Sequence, residues 1–277
     1  MKFIIGAHGS SETLAVAPLA EKEKIILITA GSQATEISTA GDYVFRTQIN
    51  VQQEGPYFAR YLAQIIGKDP IHILGINTDY LPSFLNAFKP ELESLGGNVG
   101  LVEKFETKET DFRSILTKVS AENPKFIFLI APGKQAAVIL KQASELNLKV
   151  KWFGPSPIEG QELLAYGKEL VEGLVFPYPY DDTSEQNEMK IFREKYQKEY
   201  GDKNEMLSAN GYDTLYLLSN CFEKVGVEVD NVKNCLYGVK GYKGASGILT
   251  FDENGDVEKP MILKTVKGGQ FIKLQSI

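Results

Sequence analysis

Phe3-Ile4-Ile5 runs into Gly6-Ala7-His8-Gly9-Ser10-Ser11, and Ile25-Ile26-Leu27-Ile28-Thr29 runs into Ala30-Gly31-Ser32-Gln33-Ala34. Each stretch is a short apolar run ending in a turn of glycine, small residues and hydroxyls, and a helical pattern from about Glu12 lies between them. Strand, polar turn, helix and strand in that order make a β-α-β unit. The first turn would set backbone N–H groups and serine hydroxyls at a helix N-terminus, a place that suits a carboxylate through unsatisfied amides and the helix dipole. The plainer alternative is that Ser10 or Ser11 caps its own helix. Two such turns at the carboxyl ends of consecutive parallel strands converge where open α/β sheets hold ligands. That tilts the reading toward a binding site drawn from His8, Ser10, Ser11, Gly31, Ser32 and Gln33.

Outward from this unit the same alternation continues. Apolar runs at 71–76, 99–105, 126–130, 150–153 and 174–177 read as strands, several apolar on successive residues as in sheets covered on both faces. Between them, 54–66 carries Tyr57, Tyr61, Leu62, Ile65 and Ile66 at helical spacing. Asp111 precedes Phe112, Ile115, Leu116 and Val119 as a helix start that Pro124 closes, and Pro132-Gly133 opens a further helix over 135–146. The fold class is α/β, with parallel strands and right-handed crossovers. After Pro177-Tyr178-Pro179-Tyr180 long helices follow at 184–200 and 206–225, then a shorter one at 231–238. The tail reads as hairpin-like: a strand at 247–251, a turn at 252–256 with Asn254-Gly255, and strands at 261–266 and 270–274. The acidic residues of that turn superficially resemble a calcium loop, but the closing Glu is not at the required spacing.

Composition bounds the function. In 277 residues, 30 Lys plus Arg stand against 36 Asp plus Glu, a net charge of −6 with no basic block. That argues against nucleic acid or an anionic membrane as the main partner. The longest apolar runs fall far short of a bilayer span, and the opening apolar stretch is too short for a secretory leader. With only His8, His72, Cys221 and Cys235 available, no metal-site spacing can be assembled, and no cofactor motif is present. The cysteines fall on neighbouring predicted helices, where a disulfide and two buried thiols are equally open. His72 alternates with apolar neighbours and reads as a packed histidine. No nucleophile–base pair can be named, so an enzyme is disfavoured.

The order of segments resembles the periplasmic binding proteins of the leucine/isoleucine/valine type, the type I solute receptors of ABC importers. Ile5-Gly6 with Ser10-Ser11 looks like the family's IG-x-x-x-SS turn, and 28–38 like its I-S-P-x-x-T-x-x-E-L-T segment. Phe45-Arg46-Thr47 is similar to its F-R-T, followed by Gly55-Pro56 on the next helix. Asp79-Tyr80, Asp111-Phe112, Gly154-Pro155, Glu172-Gly173-Leu174, Tyr212-Asp213 and the 247–256 tail continue the match. The resemblance implies two doubly wound, Rossmann-like lobes joined by a hinge, at 1–49 with 179–259 and 50–178 with 260–277. Family members begin with a further β-α-β-α stretch, so this chain is expected to be truncated at its N-terminus. The incomplete lobe would then expose strand edges open to self-association.

By the same resemblance Ser10 would hold a ligand carboxylate, Gly31 and Gln33 would supply contacts after the next strand, and Tyr80 would be the aromatic contact of lobe two. Pro132 stands where amino-acid binders of the family have a second tyrosine, and Ser156 where they have the acid that grips the ligand ammonium. A buried ammonium needs a paired charge or several acceptors. The expectation is therefore a carboxylate, amide or other polar solute rather than an ordinary α-amino acid, with Leu207 as an apolar wall. The implied partners are a small-molecule ligand and the membrane permease of an importer, and the implied setting is periplasmic or extracellular when the chain carries its leader. The alternative is a cytoplasmic ligand sensor of the same fold, similar to amide-responsive regulators.

Overall fold

A computed structural model describes residues 1–201 and 206–274. In chain order its elements are β1 (Phe3–Ile5), α1 (Ser10–Lys22), β2 (Ile26–Thr29), β3 (Val44–Arg46), α2 (Val51–Ile66), β4 (Pro70–Ile76) and α3 (Tyr80–Ser94). Then come β5 (Asn98–Phe105), α4 (Arg113–Ser120), β6 (Phe126–Ile130), α5 (Gly133–Glu145), β7 (Lys151–Phe153), α6 (Gln161–Gly167) and β8 (Val175–Tyr178). The rest are α7 (Asn187–Tyr200), α8 (Met206–Val225), α9 (Val229–Tyr237), β9 (Tyr242–Gly244), β10 (Gly247–Leu249), β11 (Ile262–Lys267) and β12 (Gln270–Lys273). Contacts divide the chain into two units, Met1–Gln53 with Pro179–Pro260, and Glu54–Tyr178 with Met261–Ile277.

Unit one is built on a parallel sheet in the order β1-β2-β3. The strands alternate strictly between two covered faces. Leu27 and Val44 pack with Ala17 and Ala20 of α1, while Ile26, Ile28 and Phe45 pack with Leu217, Leu218 and Cys221 of α8 and Leu236 of α9. Val44–Arg46 is too short for the apolar pattern to announce and emerges as a strand through pairing with β2. Among the described residues β1 pairs only with β2, and Ile5 is half-exposed there. A disulfide joins Cys221 of α8 to Cys235 of α9, with Cα atoms 5.8 Å apart, closing the choice the sequence left open.

A fully buried guanidinium organises this unit. Arg46, at the end of β3, donates from Nε and Nη2 to the Asp256 carboxylate at 2.5 and 2.7 Å, and from Nη1 to the Ala34 carbonyl at 2.8 Å. Ser38 donates to the same carboxylate, and Asn50 Nδ2 reaches both Ser38 and Asp256. The acidic turn is thereby accounted for without calcium: Asp256 serves Arg46, while Asp252 Oδ1 accepts from the amides of Asn254 and Asp256.

Unit two holds a seven-stranded sheet in the order β12-β11-β8-β7-β6-β4-β5. Its strands from β5 to β8 are parallel, and β11 and β12 add an antiparallel edge. The expected tail hairpin is thus split: β10 pairs with β9 in unit one, whereas β11 and β12 complete the sheet of unit two. Phe128 of β6 meets Phe84 and Phe88 of α3 and Phe58 of α2, with ring centroids 5.2 to 5.6 Å apart. Gly55 lets α2 approach α3, since a Cβ there would come within 3.0 Å of Ala87 Cβ and the Phe88 amide. His72 packs inside the sheet as read, its Nδ1 accepting from the Leu101 amide at 3.1 Å and burial pushing its pKa down.

Removing one partner of a buried ion pair leaves the other charge uncompensated. Asp256→Ala should therefore lower unfolding stability by about 3–5 kcal/mol, measured by urea denaturation. Replacing both cysteines by serine should cost about 3 kcal/mol, because the 221–235 loop is short and the constraint on the unfolded chain modest.

Candidate functional site

In unit one the loops after β1, β2 and β3 leave the same, carboxyl end of the sheet. Ser10 opens α1, and its Oγ accepts from the amides of Gln33 at 3.3 Å and Ala34 at 3.2 Å. Its own hydrogen has no acceptor among the described residues and is left to donate. Ser32 is turned inward: its Oγ donates to the His8 carbonyl at 3.1 Å and lies 2.8 Å from Thr13 Oγ1. Thr29 Oγ1 completes the seam, donating to the Ala7 carbonyl at 2.6 Å and accepting from the Ser32 amide at 3.1 Å. Ser32 thus holds the two loops together and does not offer its hydroxyl outward. Exposed His8 lies over Gly31, where a Cβ would come within 2.6 Å of the ring and 2.8 Å of the His8 carbonyl, so glycine is needed there for close approach.

Gln33 is buried, and its carbonyl accepts the Val51 amide at the start of α2. Ser11 is half-buried beside Ser10. Glu12 folds back so that its carboxylate lies over Gly9, at the helix end where negative charge is favoured. The chain's own acid therefore occupies part of the anion-attracting position that the turn was read to offer a ligand.

Behind these loops stands a polar cluster the sequence reading missed. Asn210, one turn after half-buried Leu207 in α8, donates Nδ2 to the Ala30 carbonyl at 3.1 Å. Buried Lys259 donates to Asn210 Oδ1 at 2.5 Å and to Ser246 Oγ at 2.8 Å. Asp213, one turn from Asn210, accepts from the Ala245 and Ser246 amides, each at 2.7 Å, and from Ser246 Oγ at 2.6 Å. Burial pushes the Asp213 pKa up against those three donors and Lys259. Burial also lowers the Lys259 pKa to about 7, with Asp213 opposing.

In unit two the loops after β4, β6 and β7 likewise share the carboxyl end of neighbouring strands. Tyr80 begins α3 after β4, Pro132 precedes α5 after β6, and Ser156 follows β7 in a single 3-10 turn, Ser156–Ile158. The structure joins Ser156 to Glu54, a wholly buried acid in the first turn of α2: the Ser156 amide donates to Oε1 at 2.5 Å and its hydroxyl to Oε2 at 2.9 Å. Tyr80 belongs to the same neighbourhood. Burial first, and the charge of Glu54 second, raise its phenol well above the usual tyrosine range, so it stays protonated. Its hydroxyl is buried with no hydrogen-bond partner among the described residues. Pro132 is exposed, and the Pro132-Gly133 turn rests near Ile158, 3.3 Å from a Cβ at Gly133 to the Ile158 carbonyl.

These strand-end loops are the hallmark of a ligand-binding α/β protein, and comparison with known proteins gives the family. The model of the periplasmic binding protein family matches residues 1–270. The chain belongs to that family. Its fold is the type I periplasmic binding protein fold, and the proteins it resembles are named as binders, not enzymes. It is 23% identical over 263 residues to the leucine-, isoleucine-, valine-, threonine- and alanine-binding protein of Pseudomonas aeruginosa, covering 93% of this chain and 69% of that one. It spans about half the length of the other curated relatives it matches, the Leu/Ile/Val-binding protein of Escherichia coli among them. The crystal structure of leucine binding protein LivK from Thermotoga maritima superposes with a TM-score of 0.92 at 28% identity, over 98% of this chain and 78% of that one. At 21% identity and a TM-score of 0.88, the isoleucine complex of the branched-chain amino acid transporter substrate binding protein LivJ from Streptococcus pneumoniae shares the fold, over 98% of this chain and 79% of that one.

Glu54 had a signal in the sequence, an acid between Gln52-Gln53 and Gly55-Pro56, but helical periodicity assigned it to a helix start and nothing more. Asn210 and Asp213 sit one turn apart on α8 but Lys259 lies far along the chain, and the three had no signal beyond the Tyr212-Asp213 match.

Lys259 makes stability depend on pH. Its folded pKa, about 7, lies below the ordinary 10.5. Between those values the unfolded chain holds one more proton than the native state, so stability rises with pH across that window. Lys259→Met should flatten that rise, by up to about 1.4 kcal/mol per pH unit, in urea denaturation at pH 7, 8 and 9.

Proposed function

We propose that this protein is the solute-binding component of an ABC-type importer, acting in the periplasm, and that it captures a small polar solute and hands it unchanged to a membrane permease. The observation that supports this best is that each unit separately gathers its polar side chains at the carboxyl ends of parallel strands: Ser10 with the 31–34 loop in one, Glu54, Tyr80 and Ser156 in the other. The names of the relatives point the same way. The Ser10 hydroxyl, its oxygen already engaged by two amides, suits the carboxylate or amide oxygen of such a solute.

A thermal-shift panel of amino acids, short-chain and aromatic carboxylates, and amides tests the reading. A solute at about 100 times its Kd should stabilise the protein by about 2.7 kcal/mol and raise its melting temperature by several degrees. Ser10→Ala should weaken the best solute about tenfold, a loss of about 1.4 kcal/mol. A panel that leaves the melting temperature unmoved throughout would sink the receptor assignment.

A further inference from the structure

The β1 edge of the unit-one sheet presents backbone groups that no strand uses. The Ile26 amide bonds to the Lys2 carbonyl and the Gly6 amide to the Ile28 carbonyl, so the backbone groups of the even-numbered residues here point to β2. By alternation the amides and carbonyls of Phe3 and Ile5 point the other way, where no strand pairs with β1 among the described residues. Natural edges are commonly blunted by charge, proline or a bulge, and Phe3-Ile4-Ile5 carries none of these. Ile4 packs with the α1 cluster and Phe3 with that of α8 and α9, which puts Ile5, 48% exposed, on the α8 face. There the apolar surface continues. Phe222 of α8 meets Phe3 with ring centroids 4.7 Å apart. Leu215 and Val225, two turns before Phe222 and nearly one turn after it on the same flank of the helix, are 58% and 39% exposed.

We propose that this surface binds a second copy of the chain, β1 against β1 antiparallel, about a two-fold axis at Ile4. In that register Phe3 of each copy exchanges amide and carbonyl bonds with Ile5 of the other, which satisfies every outward group of both residues, and Ile4 faces Ile4 as the non-hydrogen-bonded pair. The axis stands perpendicular to the sheet, so both α8 helices fall on the same face and turn the flanks of Leu215, Phe222 and Val225 toward each other. A lone strand from another protein would satisfy the backbone and leave the α8 flank bare. One isologous contact between copies covers both, because the operation that joins the strands also joins the helices. The contact belongs to unit one alone and needs no solute.

Sedimentation and light scattering of the chain, from about 1 µM to about 100 µM, test the contact, and at the upper end the chain should run at twice its own mass. Ile5→Pro removes an amide aimed at the second copy and none that β2 uses. Leu215→Glu puts a charge on the exposed flank of α8. Each should raise the dimer dissociation constant at least tenfold while leaving the circular dichroism of the chain unchanged. Ile4→Cys reads the register: at the axis the two Cα atoms come to about 4.5 Å, close enough for a disulfide between copies under mild oxidation. Phe3→Cys and Ile5→Cys, each displaced from its own twin along the strand, should not cross-link. If Ile5→Pro fails to fold, Leu215→Glu and the cysteine pattern stand as the test. A monomer at every concentration overturns the inference and leaves the edge to a strand of another polypeptide. A dimer that keeps its affinity in the folded variants, or that cross-links equally from positions 3, 4 and 5, overturns it as well.

Discussion

Arg46 cannot lie fully enclosed in unit one without its charge being answered, and the answer organises the unit. An unpaired guanidinium away from water would cost far more than a surface ion pair is worth. Asp256 supplies the countercharge from a turn 210 residues further along the chain, and the remaining donors go to the Ala34 carbonyl and to Ser38. The loop after β2 is therefore anchored from beneath by Arg46 and from the side by Ser10. Under the proposed receptor reading such rigidity favours affinity, because ordering the loop at the moment of binding would subtract from it.

The same loop is held a third time through its Ala30 carbonyl. Asn210 reaches it from α8, and Lys259 in turn holds Asn210. Lys259 is followed at once by the passage of the chain from unit one into unit two between Pro260 and Met261. One buried amine thus connects the strand-end loop to a point where the chain changes unit. Its low pKa is the cost of that placement, since burial disfavours the charged form even with Asp213 nearby.

In unit two the logic is reversed: a negative group is enclosed and donors are brought to it. Ser156 gives Glu54 an amide and a hydroxyl, which fixes the carboxylate's direction as well as satisfying it. The aromatic stack of Phe58, Phe84, Phe88 and Phe128 sets α2 and α3 against β6, and α2 and α3 carry Glu54 and Tyr80 respectively. Packing places the pair, and burial first, with the charge of Glu54 second, keeps the Tyr80 hydroxyl protonated.

The sequence by itself determined the α/β alternation, the strand runs buried on both faces, and the polar turns holding Ser10 and Gln33. Those features are local: apolar period, glycine and hydroxyl placement act within a few residues. Val44–Arg46 carries no period in three residues, and the pairing of β10 with β9 is not legible because strand partners are chosen across the whole chain, whereas β11 and β12 do pair antiparallel as the tail pattern suggests. Only the tertiary structure decided that Ser32 turns inward, that Cys221 and Cys235 are joined, and that Ser156 donates to the buried acid Glu54. Each of these is a meeting of residues far apart in sequence, and such meetings are set by how sheets and helices stack, which no window of neighbouring residues records.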